Sequence, residues 1–258
     1  MLTFSLKNLN IFISQRADGD FRQTQAVEQF LASRQLAKAD DQFVHLQLDN
    51  KDQVLVLDAK QLKSKQKSKQ TSLLLTGDAI LSDWQKGDRQ ANKTLISMVL
   101  GDCFPLIFFD QKSQNMAMIH AGWEPLYLNI LDEVWQQMLE LWQTKAEHLL
   151  VFLGPGIRAK SYLVKKEPRQ SQHPAWKEYI KKQKKTGLWQ IDLPAFIKNH
   201  LFDIYKLPKE QLIDYQLDTY ASPTKFFSYR RSQELLAAGN KKAAQSANGR
   251  FFVSCRLL

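Results

Sequence analysis

Residues 94–109 constrain the fold of this chain more than any other segment. Residues 94–100 and 105–109 are two compact apolar runs, rich in branched and aromatic side chains, with Gly101-Asp102-Cys103-Phe104 between them. Runs of this length with polar residues at their ends have the pattern of buried strands. The stretch is broken by Gly101, Asp102 and Pro105, and it falls short of the roughly 20 apolar residues that a bilayer span needs. No membrane helix is expected.

The remaining segments supply elements of both kinds. In residues 25–37, Val27, Phe30, Leu31 and Leu36 fall on roughly one face, the spacing of an amphipathic helix; it follows a strand in residues 1–14. Residues 43–48 and 53–57 flank the turn-forming Asp49-Asn50-Lys51-Asp52, which predicts neighbouring strands joined as a hairpin. Residues 71–76 and 116–120 read as further strands, the second ending at Ala121-Gly122. Pro125 suits the first turn of a helix, and Leu128, Leu131, Val134, Trp135, Met138 and Leu141 give that helix an apolar face up to Trp142. Residues 149–153 form a strand closed by Gly154-Pro155-Gly156. Residues 194–206 and 209–213 read as helices, and 225–229 and 250–256 as strands. With no internal repeat or low-complexity boundary, residues 1–258 are expected to form one α+β domain.

The formal net charge of +10 invites a nucleic-acid reading, but its distribution speaks against one. Residues 60–70 hold five lysines and no acid, and residues 177–185 hold five lysines and one glutamate, so two short segments carry nearly all of it. The first has neither apolar periodicity nor an aromatic ring for a base to stack on, and is expected to be a solvated loop peripheral to any pocket. No specific nucleic-acid partner is expected. Two cysteines far apart in sequence, Cys103 and Cys255, exclude a disulfide scaffold. The N-terminal residues lack the basic start, apolar core and cleavage site of an export signal, so a cytoplasmic location is the expectation.

Asp78, Asp102, Cys103 and His120 stand at the edges of apolar strands, where a rigid sheet presents side chains to a pocket. One strand and a turn separate Cys103 from His120, so adjacent strands can bring them together. A cysteine and a histidine so placed can ligate zinc or act as nucleophile and base. The alternative is a core cysteine and a hydrogen-bonded structural histidine. Cys255, in the last strand, reads as core.

Four ordered segments carry a resemblance. Gly101-Asp102-Cys103-Phe104-Pro105-Leu106, His120-Ala121-Gly122-Trp123, Leu153-Gly154-Pro155-Gly156-Ile157 with Tyr162 and Val164, and Phe226-Phe227-Ser228-Tyr229-Arg230-Arg231 resemble, in order and spacing, the signatures of the bacterial laccase-domain (YfiH-type) family. Asp78-Ala79 and Trp189-Gln190-Ile191-Asp192-Leu193 resemble two further family segments. The resemblance implies a single layered α+β domain with mixed β-sheets flanked by helices. It implies a zinc site built from a histidine in a Gln-Val-His segment, the cysteine of Ala-Asp-Cys and the histidine of His-Ala-Gly-Trp. It also implies phosphorolysis or deamination of purine nucleosides such as adenosine and inosine or, as for some bacterial members, editing of cell-wall precursors by an amidase.

The chain departs from that pattern at the pocket itself. The Gln-Val-His segment matches Gln47-Leu48-Asp49, which puts Asp49 in place of the histidine, with His45 as a less well aligned substitute. A carboxylate can ligate zinc, so the resemblance implies Cys103, His120 and Asp49 as catalytic residues and metal ligands, with a fourth position open. Such a site is harder and more anionic than the family's. The family's His-Ala-Gly-Trp-Arg-Gly reads here as His120-Ala121-Gly122-Trp123-Glu124-Pro125. Phosphate is commonly held by bidentate arginine, so Glu124 is expected to repel that co-substrate and weaken phosphorolysis. The family's late Cys-Thr is Asp218-Thr219 here.

Asp102, Glu124, Arg230 and Arg231 are the candidate substrate-binding residues, one of the arginines supplying the positive charge that Glu124 does not. The alternative puts residues 226–231 on a strand, with the arginines in ordinary ion pairs. Asp78 and Asp102 are expected to cap loops or to orient site residues. Three function classes follow: a zinc-dependent purine nucleoside enzyme with a small-molecule substrate and phosphate as co-substrate; a cell-wall amidase using the same pocket; and a family member that keeps the scaffold as a binding or regulatory protein. A monomer or a homodimer is compatible with all three.

Overall fold

The two apolar runs of residues 94–109 lie in different sheets. The computed structural model describes residues 1–66, 72–85, 88 and 90–258, the side chains of residues 63–66 excepted. One six-stranded mixed sheet runs, in spatial order, β1 (Leu2–Leu6), β2 (Leu9–Ile13), β15 (Phe251–Leu257), β7 (Thr94–Leu100), β3 (Gln42–Gln47) and β5 (Ser72–Thr76). The other runs β14 (Leu212–Asp214), β10 (Leu149–Leu153), β8 (Phe104–Asp110), β9 (Asn115–Ala121), β6 (Ala79–Asp83) and β4 (Val54–Asp58). A small third sheet joins β11 (Leu163–Val164), β13 (Trp189–Ile191) and β12 (Ile180–Lys182). The helices are α1 (Thr24–Ser33), α2 (Ala59–Gln66), α3 (Trp123–Tyr127), α4 (Ile130–Trp142), α5 (Leu193–Asn199), α6 (Tyr229–Ala237) and α7 (Lys241–Ala247).

Alternation along the strands builds the layers. On β8, Ile107 and Phe109 enter a core shared with Ile11, Ile96 and Val253 of the first sheet, so the two sheets pack face to face. Phe104, Leu106 and Phe108 of the same strand point the other way, into a core closed by Ile130, Val134 and Met138 of α4 and Phe196 and Ile197 of α5. The far face of the first sheet, with Phe12, Phe43, Leu95 and Phe252, is covered by Val27 and Leu31 of α1. A helix layer therefore lies outside each sheet. A strand with side chains buried on both faces reads as a continuous apolar run, which is why residues 105–109 carry no polar alternation.

Several local readings are corrected by these layers. Residues 1–14 are a hairpin, β1 and β2, turned at Lys7 with φ 50°. Residues 43–48 and 53–57 are not a hairpin: β3 pairs in parallel with β5 and β7 in the first sheet, and β4 pairs in parallel with β6 in the second. The expected helix up to Trp142 is split at Asn129, which adopts φ 65° between α3 and α4. Residues 209–213 form a single 3-10 turn leading into β14, parallel to β10. Residues 225–229 are no strand; Ser228 instead caps α6 by accepting the Arg231 N–H. The lysine-rich residues 60–66 belong to α2, which buries Leu62; residues 67–70 lie outside the described residues. Among the described residues no helix is long and apolar enough to cross a membrane.

Three connections from the first sheet to the second leave from the ends of the parallel strands β3, β5 and β7. They are residues 48–53, 77–78 and 101–103, and so Asp49, Asp78, Asp102 and Cys103 gather at one end of the sandwich. Because Phe108 is fully buried in the core between β8 and the helices, Phe108→Ala is expected to lower unfolding free energy by about 3–5 kcal/mol, read as a shift of the urea midpoint.

Candidate active site

Strand register brings Cys103 to His120. β8 and β9 pair antiparallel with Phe104 opposite Ala121 and Pro105 opposite His120, which sets Cys103 beside Gly122 one step past the ladder. His120 shares the side of β9 that carries Met116 and Met118 into the space between the sheets. The Cys103 thiol and the Nε2 edge of His120 meet at the α-carbon of Gly122, and Cys103 bears directly on the imidazole. Both crowd the α-carbon of Gly122: an added Cβ would lie 2.9 Å from His120 Nε2 and 3.0 Å from Cys103 Sγ.

The other ring nitrogen is held from behind. His120 Nδ1 lies 2.6 Å from Asp78 Oδ1, and the His120 backbone N–H donates to the Asp78 carbonyl at 2.7 Å. Asp78 is completely buried and also accepts the Asn50 and Lys51 backbone N–H groups at 3.2 and 2.8 Å. Burial alone pushes the Asp78 carboxyl up, but its hydrogen bonds with His120, Asp49 and Lys51 leave it below its ordinary value. Burial likewise pushes the His120 imidazole down, and this is overcome by the electrostatic influence of Cys103 and by the interactions with Asp78 and Cys103, which raise it to about 9. The result is a line from Asp78 through His120 to Cys103, the arrangement in which a carboxylate fixes the tautomer and charge of an imidazole that faces a thiol.

The line ends in a cavity of about 230 Å³ lined by Asn50, Asp102, Cys103, Gly122, Trp123, Glu124, Ile157, Tyr162, Leu193, Tyr229 and Arg230. Tyr162 is buried, and burial with the electrostatic influence of Cys103 pushes its phenol up to about 12 against the opposing effect of Arg230. It therefore stays a neutral hydrogen-bonding group. Arg230 lies over the Tyr162 ring at 5.4 Å.

Of the expected substrate-binding residues, Arg230, Glu124 and Asp102 line the cavity and Arg231 does not. Arg231 donates to the backbone carbonyls of Thr219, Tyr220 and Phe226 at 2.6–3.0 Å, which fixes the loop before α6. Glu124 is paired with Arg169 at 3.0 Å, and Arg169 stacks over Trp123 and Tyr127 at 4.8 and 4.9 Å. The expected charge of Glu124 is thus opposed by an arginine from a distant loop, which sequence spacing could not locate. Asp102 accepts from Thr219 Oγ1 at 2.6 Å, Ser228 Oγ at 3.0 Å and the Arg230 N–H at 2.7 Å. It ties the Cys103 loop to the Asp218-Thr219 segment and to the start of α6.

The expected third metal ligand is not brought to the pair. Asp49 interacts with Asp78, and its other contact is to Lys51 Nζ at 3.2 Å. Asn50 is the residue of that segment that reaches the cavity, its backbone turned into the left-handed region at φ 59°. His45 is buried in the first sheet with Nε2 on Glu28 at 2.8 Å. A catalytic zinc takes three protein ligands, whereas among the described residues the donors that face one another here are Cys103 Sγ and His120 Nε2. Among the described residues no group of three His, Cys, Asp or Glu side chains is arranged to hold a metal ion. The donor set does not fit the zinc site that the resemblance implies.

Fold and site together define a class of layered α+β domain whose reactive side chains hang from the crossovers between two stacked sheets. Residues 7–243 match the multi-copper polyphenol oxidoreductase laccase family, and the chain belongs to that family. It is 27% identical over 175 residues to the purine nucleoside phosphorylase YfiH of Shigella flexneri, a match covering 62% of this chain and 64% of that protein. The chain therefore spans less than two thirds of the length of this curated relative. Its fold is that of YlmD from Geobacillus stearothermophilus (TM-score 0.74, 15% identity, 97% and 92% of the two chains) and of YfiH from Bacillus licheniformis (TM-score 0.70, 16% identity, 97% and 93%).

Two outcomes are expected from this geometry. Gly122→Ala forces a methyl group against both Cys103 Sγ and His120 Nε2, so alkylation of Cys103 by iodoacetamide should change at least several-fold in rate while the melting temperature moves little. In NMR titrations of the metal-free chain, His120 should titrate near pH 9, and Asp78→Asn should lower that value towards the ordinary 6.5. Because the folded value is raised, the stability that protonated His120 contributes while Asp78 is ionised is fully present below pH 6.5 and is lost as pH rises through about 9, and it is lost again in acid once Asp78 protonates.

Proposed function

We propose that the chain processes purine nucleosides in the Cys103 cavity, releasing the base by attack of phosphate on the glycosidic carbon. The observation that carries this reading is the Asp78–His120–Cys103 line opening on a cavity walled by Trp123, Tyr162 and Tyr229. At about 230 Å³ the space is slightly under the roughly 300–1,000 Å³ usual for ligand pockets, which suits a small, flat ligand. Aromatic walls take the faces of a heteroaromatic base, and the Asn50 amide offers both a donor and an acceptor to its edge. The name carried by the Shigella relative supports the same substrate class.

In this reading the bond between the base nitrogen and the pentose carbon breaks while a phosphate oxygen bonds to that carbon. The Cys103 thiol, which lines the cavity, gives its proton to the departing base and takes one from His120 Nε2–H behind it, and the proton brought by hydrogen phosphate restores the imidazole. Asp78 keeps the imidazole oriented and charged, and Cys103 stands between it and the cavity. Arg230 and Arg169 offer positive charge to the incoming phosphate, the second balanced by Glu124.

Base release from inosine and adenosine should be phosphate-dependent and should persist after dialysis against a chelator. His120→Ala should cost about 10²–10⁴-fold in turnover, the usual worth of a general acid, and Glu124→Gln should raise the apparent affinity for phosphate. Ammonia release without base release, or no loss in His120→Ala, would overturn the reading.

A further inference from the structure

The Cys103 cavity has a wider neighbour. An open groove of about 660 Å³ is lined by Arg22, Gln23, Gln25, Gln47, Leu74 and Arg250 among others, with no Asp or Glu among its lining residues. Arg250 forms the wall between the two spaces. Its guanidinium lies 5.7 Å from the centre of the Tyr229 ring, and Tyr229 lines the Cys103 cavity. Gly101 backs onto both: a Cβ there would stand 3.5 Å from Tyr229 Cβ and 3.6 Å from the Arg250 guanidinium carbon.

The two arginines carry more donors than their neighbours use. Arg250 Nη1 donates to Asn248 Oδ1 at 3.2 Å and to the Gly249 carbonyl at 2.9 Å, and Nη2 has no partner among the described residues. Arg22 Nε lies 3.4 Å from Asp20, whose carboxylate also accepts the Arg250 backbone N–H at 2.9 Å. Burial and the like charge of Arg22 hold the Arg250 guanidinium below its ordinary value despite Asp20, Asp102 and Cys103 nearby. Two guanidinium groups repelling each other at the mouth of an acid-free groove are relieved by an anion between them, and the planar fork of arginine matches a phosphoryl group in particular.

We infer that this groove holds the phosphoryl group of a phosphorylated purine nucleoside whose base occupies the Cys103 cavity, so that the ligand is a nucleotide rather than a neutral nucleoside. The inference rests on the purine nucleoside reading of that cavity and extends it. Phosphate tethered to the ligand and phosphate free in solution share this chemistry, and the assay separates them.

Binding of adenosine, adenosine with inorganic phosphate, and adenosine 5′-monophosphate is measured by calorimetry on the full chain, Arg22→Gln and Arg250→Lys. The monophosphate should bind at least tenfold more tightly than adenosine. Each variant should shrink that ratio several-fold, including Arg250→Lys, which keeps the charge but loses the fork. Inorganic phosphate should erode the monophosphate's advantage, and any effect it has on adenosine binding should be the same in Arg22→Gln and Arg250→Lys as in the unsubstituted chain. A ratio near one, or a ratio untouched by both variants, overturns the groove while leaving adenosine binding as the measure of the cavity reading. Phosphate that strengthens adenosine binding only while Arg22 and Arg250 are intact assigns the groove to free phosphate and also overturns the proposal. If neither ligand binds, the nucleoside reading and the groove fall together.

Discussion

The burial of β8 and β9 on both faces is the constraint from which the rest follows. A central strand that must satisfy apolar side chains in both directions requires a sheet on one side and helices on the other. Here these are the β7 sheet, with Ile96 and Met98, and the α4–α5 layer, with Val134 and Phe196. With both strands locked, their register is locked too, since a slip of one residue would exchange Leu106 and Phe108 for Ile107 and Phe109 between cores of different shape. That register places Cys103 next to His120. The meeting of thiol and imidazole is thus a consequence of core packing, with the short 101–103 connection held in place by the bonds of Asp102.

The polar groups at the open end of the sandwich hold one another in place. Asp78, deprived of water, is satisfied by two backbone N–H groups and the His120 ring; a buried carboxylate without such partners would be severely destabilising. Asp102 does comparable work on the other side of Cys103, joining three separate chain segments through Thr219, Ser228 and Arg230. Between these two carboxylates the Cys103 loop has little freedom, and preorganisation of this kind is what lets a small cavity orient a ligand. The positive side is distributed differently: Arg169 and Arg230 lie on aromatic rings, surfaces that position a guanidinium without neutralising it, and Arg169 alone of the two is also paired with Glu124.

Much of this was readable in the chain before folding. The strands of residues 94–109 and 116–120, the core position of Cys255 and the gathering of Asp78, Asp102, Cys103 and His120 at strand ends follow from hydrophobic pattern alone, because a buried strand has few places to put a polar side chain. The family is legible for the same reason, its signatures being the crossovers themselves. The failures also have a common cause. The turn at residues 49–52 looks like a hairpin, yet it crosses from one sheet to the other because β3 finds parallel partners far along the chain. Phe227 and Tyr229 alternate with Ser228 as in a strand, yet Ser228 is a helix cap.

The sequence by itself determined which strands are buried, where reactive groups can leave them and to which family the chain belongs, since these depend on periodicity and local motif. Only the tertiary structure decided that Asp49 turns to Asp78 and not to Cys103, that Asn50 takes its place at the cavity, that Arg230 and not Arg231 faces it, and that Arg169 comes to Glu124 from 45 residues away. These outcomes depend on the distance between segments that pattern leaves unordered. The energy of a charged or polar side chain is set by the partner it reaches, and that partner is known only once the layers have closed.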